Sequence, residues 1–89
     1  PAYIVDGDGG ILVDADGNSY IDFAAGIGVT TVGASNPAVT EAIVEAAQHF
    51  THTCFLNAPY EGFVAVSEKL NEITPGDHAK KTALFSTGA

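Results

Sequence analysis

The stretch Lys81-Thr82-Ala83-Leu84-Phe85-Ser86-Thr87-Gly88-Ala89 passes from a short β-prone segment straight into small residues. Residues 81–85 are predicted to form a short buried strand. A strand that follows a helix points to a sheet of the βα type, whose core strands are covered on both faces. A small-residue turn such as Ser86 to Ala89 stands where the next helix would begin. The first backbone N–H groups of such a helix have no partner within it, which makes a natural phosphate site. A plain strand-end turn has the same residue pattern. No other segment offers this strand an evident neighbour, so the expected architecture is incomplete: the amino-terminal piece of a larger α/β enzyme, inactive by itself. The lack of any Met suits a processed or cut product.

Upstream of that stretch the periodicity is helical. Thr74-Pro75-Gly76 is predicted to end a helix that begins near Pro59 and buries Phe63, Val66, Leu70 and Ile73. An earlier helix is predicted with Asn36 as its N-cap and Pro37 at its first position. Val39, Ala42, Ile43, Ala46, Ala47 and Phe50 form its apolar face. Thr51 to Phe55 is a β-prone connector. Ala24 to Gly33 reads as an irregular, close-packed loop, punctuated by Gly26, Gly28 and Gly33.

The first segment is strand-like. Ile11-Leu12-Val13 and Tyr20 to Phe23 flank Asp16-Gly17, a strong hairpin signal because the turn needs a positive φ. Tyr3-Ile4-Val5 is predicted to add a third strand before a Gly-rich turn from Asp6 to Gly10.

Composition narrows the function classes. Eighty-nine residues with 46% hydrophobic content suit one small globular domain at most. Eleven acidic against 3 basic residues leave a formal net charge of -8. Nucleic acid and anionic membranes both need clustered Lys or Arg, so neither is an expected partner. Cys54 is the one cysteine, which excludes an internal disulfide and suits a reduced, cytoplasmic setting.

Metal and nucleophile readings are weaker than the turn chemistry. Asp14, Asp16 and Asn18 occupy the first three ligand positions of an EF-hand loop, but its glycine and its closing glutamate are replaced by Ser19 and Ala25. The register from Asp6 also fails, so no metal site is expected. His49, His52 and Cys54 lack the paired spacing of a zinc site. His52 and Cys54 would share one face of an extended segment, but with backbones roughly 7 Å apart and no group to orient the base. Gly26-Ile27-Gly28 lacks the third glycine of a dinucleotide fingerprint.

Taken together, the order of elements resembles the amino-terminal part of the class III (subgroup II) pyridoxal-phosphate aminotransferases, and most nearly their 4-aminobutyrate branch. The resemblance is carried by Asp14 to Phe23, Ala24 to Val29, Thr51 to Phe55, Pro59-Tyr60-Glu61, and Thr74-Pro75-Gly76 through Ala89. It implies an α/β fold-type I enzyme. Its pieces here would be a small antiparallel β-hairpin region, two helices and the first strand of the large-domain sheet. Residues 1–57 would belong to the small domain and 58–89 to the start of the large, cofactor-binding domain.

The resemblance also implies function. Pyridoxal 5′-phosphate would be the cofactor, its phosphate held by the amides of Gly88 and Ala89. Ile27 and Leu56 would line the substrate pocket. The substrates would be an amino acid and a 2-oxo acid: an amino group would pass from 4-aminobutyrate to 2-oxoglutarate, giving succinate semialdehyde and glutamate. The enzyme would be a homodimer. Related alternatives are enzymes for other ω-amino acids, such as 5-aminovalerate or ornithine. An alternative of another class is a small acidic binding module for a cation. The family's catalytic lysine, its cofactor-pairing Asp and its carboxylate-binding arginines are not matched, so no catalytic residue is assigned. The sequence also departs from the family at Leu56, often Gln, and at Gly33-Ala34-Ser35-Asn36-Pro37, where the family has Gly-His-x-x-Pro.

The 89-residue chain produced alone is expected to be partly unfolded or self-associating, because an unpaired strand edge at Thr82 to Phe85 invites association. Dispersed, sharp amide NMR signals with a monomeric mass at high concentration would contradict this.

Overall fold

A computed structural model describes residues 1–88. The aspartate-rich turn forms a hairpin, as its Asp-Gly pair requires. Strand β2 (Ile11–Asp14) and strand β3 (Ser19–Ile21) pair antiparallel, with Leu12 opposite Tyr20 and Val13 opposite Ser19. The Gly17 amide donates to the Asp14 carbonyl at 3.0 Å, and the Asp14 amide to the Asn18 carbonyl at 3.0 Å. Gly17 has φ 85°, the left-handed value that a glycine takes without steric cost.

Strand β1 (Ile4–Asp8) completes a three-stranded sheet in the order β1-β2-β3. Its register shifts between Ile4 and Asp6, a bulge beside Val5. The strand is longer than expected: Asp6, Gly7 and Asp8 pair with Val13, Leu12 and Ile11. The turn is therefore confined to Gly9-Gly10 rather than spread from Asp6 to Gly10. Backbone pairing overrides the low strand propensity of Asp and Gly here.

The carboxylate of Asp14 is the one buried polar side chain among the described residues, at 5% exposure. Its Oδ1 accepts from the amides of Asp16 (3.0 Å) and Asn18 (2.8 Å). Its Oδ2 accepts from Asn18 Nδ2 (3.0 Å) and the Tyr20 hydroxyl (2.8 Å). These bonds, led by those from the side chains of Asn18 and Tyr20, hold the Asp14 pKa down at about 2 from the usual 3.8. The same contact raises the pKa of the Tyr20 phenol.

Helix α1 (Pro37–His49) begins where the capping chemistry places it. Asn36 Oδ1 accepts from the amides of Ala38 (3.0 Å) and Val39 (3.3 Å). Helix α2 (Glu61–Ile73) starts after Tyr60 and ends at Thr74, whose hydroxyl donates to the Leu70 carbonyl at 2.6 Å. The chain divides into two compact units, Pro1–Thr51 and His52–Ala89.

No apolar side chain is buried among the described residues. The apolar face of α1 is open to solvent, and so are Val66, Leu70 and Ile73 of α2, which were expected to be covered. The face of α2 that is partly covered carries Phe63, Ser67 and Asn71. There the Thr82 hydroxyl lies 2.7 Å from Asn71 Oδ1 and 3.2 Å from the Ser67 carbonyl. The expected strand at residues 81–85 is not formed. A strand exists through its ladder, and the described residues of the second unit supply no neighbour for one.

Two consequences are measurable. The contribution of Asp14 to folding is complete above pH 3.8 and is lost as the pH falls from there through about 2, because the folded hairpin holds the carboxyl deprotonated. A carboxyl 13C titration of the folded protein should place its midpoint near 2, and a midpoint near 3.8 would contradict the network. Gly33 has φ 88°, and a Cβ there would stand 3.0 Å from the backbone of Gly9. Gly33→Ala in the full-length protein that contains this chain should destabilise the first unit by about 1–3 kcal/mol, read as a lowered midpoint in urea.

Candidate active-site loop

Residues 22 to 34 leave the sheet and return to it at a single turn. Gly10 accepts from the Asp22 amide at 2.8 Å. Gly9 and Ala34 exchange both backbone bonds, at 3.0 and 2.7 Å. The Gly9-Gly10 turn therefore grips both ends of one loop, in the manner of a compact loop with a closed neck.

Inside the loop the backbone is left-handed. Ala25, Gly26, Ile27 and Gly28 have φ values of 49°, 61°, 58° and 85°. These four residues make one helical turn of the wrong hand for L-residues. Gly26 and Gly28 adopt it freely. Ala25 and Ile27 do so at about 1–2 kcal/mol each, so the surroundings must hold them there. Asp22 Oδ1 accepts from the amides of Ala24 (3.1 Å) and Ala25 (2.9 Å). The Ala24 carbonyl accepts from Ile27 (2.8 Å), and the Ala25 carbonyl from Thr30 (2.9 Å). The strain at Ala25 and Ile27 is of the order that a pair of hydrogen bonds to a carboxylate offsets.

The turn carries Ile27 out of the loop with 96% of its surface exposed. Phe23 and Val29 beside it are also exposed. Such an apolar group on a rigidly tied loop suits contact with a ligand or another segment.

The second unit places Leu56 similarly. The amides of Asn57 and Ala58 both donate to the Cys54 carbonyl, at 3.0 and 2.8 Å, and Thr53 Oγ1 donates to the Ala58 carbonyl at 2.8 Å. Leu56 rides on this tight turn at 91% exposure. Phe55 behind it stacks on Phe63, with centroids 4.2 Å apart, and meets Tyr60 edge-on at 5.8 Å. Gly88 is exposed, with open space where a Cβ would stand. Ala89 lies outside the described residues. Ile27 belongs to the first unit, and Leu56 and Gly88 to the second.

Lys69 pairs with Glu72 at 3.3 Å, and Lys80 donates to the Gly76 carbonyl. Cys54 is exposed, with its Sγ 3.4 Å from Asn57 Oδ1. No group of three or more His, Cys, Asp or Glu among the described residues could hold a metal ion. Both oxygens of Asp14, where a calcium reading would begin, are taken up by the amides of Asp16 and Asn18, by Asn18 Nδ2 and by the Tyr20 hydroxyl. Among the described residues no helix is long and apolar enough to cross a membrane. Sequence reasoning missed Asp22 and the Gly9-Gly10 neck. An Asp shortly before a run of small residues is the signal of a side-chain-capped turn that could have marked Asp22.

The family model for class-III aminotransferases matches residues 1–89. The chain is 51% identical over its whole length to a 4-aminobutyrate aminotransferase of Mycobacterium tuberculosis, covering 20% of that protein. It is 38% identical over its whole length to the 5-aminovalerate aminotransferase DavT of Pseudomonas putida, covering 21% of it. The fold matches an omega-transaminase from Sphaerobacter thermophilus with a TM-score of 0.74 at 29% identity, over 81% of this chain and 16% of that one. The chain thus spans about one fifth of the length of the curated relatives it matches. By this match along its whole length and by its fold, the chain belongs to the class-III aminotransferase family.

Proposed function

We propose that the chain forms part of an aminotransferase that moves an amino group from 4-aminobutyrate to 2-oxoglutarate, giving succinate semialdehyde and glutamate. The observation that carries this reading is the greater identity to the mycobacterial 4-aminobutyrate enzymes than to the 5-aminovalerate enzyme. Residues 1–57 fall to the small domain and 58–89 to the start of the large one. The active protein is a cytoplasmic homodimer.

The cofactor is pyridoxal 5′-phosphate, which when bound supplies the electron sink for the reaction. The donor set at the Ser86-Thr87-Gly88 bend suits its phosphate. The residues are small and exposed, and apart from its chain neighbours no atom stands within 4 Å of where a Cβ on Gly88 would be. The Gly88 and Ala89 amides would hold the phosphate oxygens. Ile27 would close over the carbon chain of the amino donor and exclude water from it. Leu56 would do the same from its own turn. Both are apolar, so they select for the methylene chain and leave the donor's charged ends to groups elsewhere. None of Lys69, Lys80 or Lys81 is assigned to catalysis. A second reading, 5-aminovalerate as donor, is favoured by the resemblance to DavT.

The holoenzyme that contains this chain, assayed with 2-oxoglutarate, should show its highest kcat/KM with 4-aminobutyrate. One extra methylene in an apolar pocket is worth about 10–200-fold, so a preference of that order against 5-aminovalerate is expected. A higher kcat/KM for 5-aminovalerate would transfer the assignment to the second reading.

A further inference from the structure

Asp22 touches neither Ile27 nor any group assigned to substrate or cofactor, yet it stands at the entrance to the turn that carries Ile27. Its Oδ1 accepts from the amides of Ala24, the residue before the left-handed segment, and Ala25, its first residue. Its own amide is tied to the Gly10 carbonyl at 2.8 Å. Asp22 is thus tied to the Gly9-Gly10 turn by its backbone and to the strained turn by its carboxylate.

The need for this link follows from the backbone. Ala25 and Ile27 have φ values of 49° and 58°, which L-residues rarely adopt, and Ile27 is β-branched. Within these 89 residues Ile27, with 96% of its surface exposed, gains no packing that would keep the turn in place. The bonds to the Ala24 and Ala25 carbonyls run within the loop and would move with it. The Asp22 carboxylate is the side chain that references the turn to the Gly9-Gly10 neck.

We infer that Asp22 is a positioning residue for the amino donor: it holds the left-handed turn Ala25–Gly28 so that Ile27 stands pre-set against the donor's carbon chain. This rests on the reading of Ile27 as a substrate-pocket residue. Losing the cap lets the turn relax toward ordinary φ values and withdraws Ile27. Binding weakens while the chemistry of the bound donor is untouched.

Steady-state kinetics on the holoenzyme that contains this chain, with Asp22→Ala, Asp22→Asn, Ile27→Ala and the Asp22→Ala/Ile27→Ala pair, test this. Ile27→Ala is expected to raise KM for the amino donor about tenfold. Asp22→Ala should raise it by a similar factor with kcat within about twofold, the pattern of lost uniform binding. The double variant should be no worse than Ile27→Ala, because both changes remove one interaction. Asp22→Asn keeps an Oδ1 acceptor and should restore KM to within about twofold of the parent. Asp16→Ala, which removes an exposed charge from the same unit, should change nothing.

If Asp22→Ala does not fold, Asp22→Glu shifts the acceptor by one methylene and should raise KM in its place. A normal KM in Asp22→Ala or Asp22→Glu beside a raised one in Ile27→Ala would overturn the positioning role and leave the pocket reading standing. A normal KM in Ile27→Ala would overturn both. Additive effects in the double variant, an Asn variant as poor as Ala, or an equal shift in Asp16→Ala would each overturn the role of Asp22 alone.

Discussion

With no apolar side chain buried in it, the first unit is held by hydrogen bonds, and four of them end on the carboxylate of Asp14. One oxygen takes two amides of the turn, and the other takes Asn18 and the Tyr20 hydroxyl. The second pair matters most for the architecture. Tyr20 lies on β3 and Asp14 at the end of β2, so their contact fixes the register of the hairpin from the side-chain level. A slip by one residue would carry Tyr20 to the opposite face and leave a buried carboxylate short of a donor. The sheet, the Gly9-Gly10 turn and the loop gripped by that turn all inherit this register.

The apolar surfaces have a different status. Helix α1 has an amphipathic pattern, yet on its apolar face Val39 is 45% exposed and Ile43 62%. An apolar helix face of this kind is covered by another layer in folded domains. The chain spans about a fifth of the length of its curated relatives, which fits faces shaped for a larger core. Local structure here is therefore set by turns, caps and ladders, while the hydrophobic pattern specifies neighbours that the 89 residues do not contain.

That division explains what could be read from sequence. Asn36-Pro37 and Asp16-Gly17 act through their own backbone neighbours, and both were legible, although the hairpin strands run Ile11–Asp14 and Ser19–Ile21 rather than 11–13 and 20–23. The extension of β1 through Asp6 to Asp8 was not legible, because pairing with β2 overrides the preferences of Asp and Gly. The segment Thr82 to Phe85 has the composition of a strand but not the partners that make one. In the candidate site, Ile27 was legible only through family resemblance. Its left-handed backbone runs against the preference of a β-branched residue and is imposed by Asp22 and the glycines around it. Asp14 was read as turn chemistry. Its bond to Tyr20 depends on a cross-strand register that no single window of sequence contains.

The closed neck at Gly9-Gly10 has a consequence for variation. Both ends of the loop are fastened to the same two residues, so its interior is mechanically separate from the ladder. Residues such as Ile27 and Val29 take no part in the β1-β2-β3 hydrogen bonds. A scaffold of this kind lets exposed side chains on the loop change in small steps with little penalty in folding, since they stand outside the ladder that sets the register. The neck is the point at which that freedom stops: a side chain at Gly33 would press on Gly9 and couple the two again.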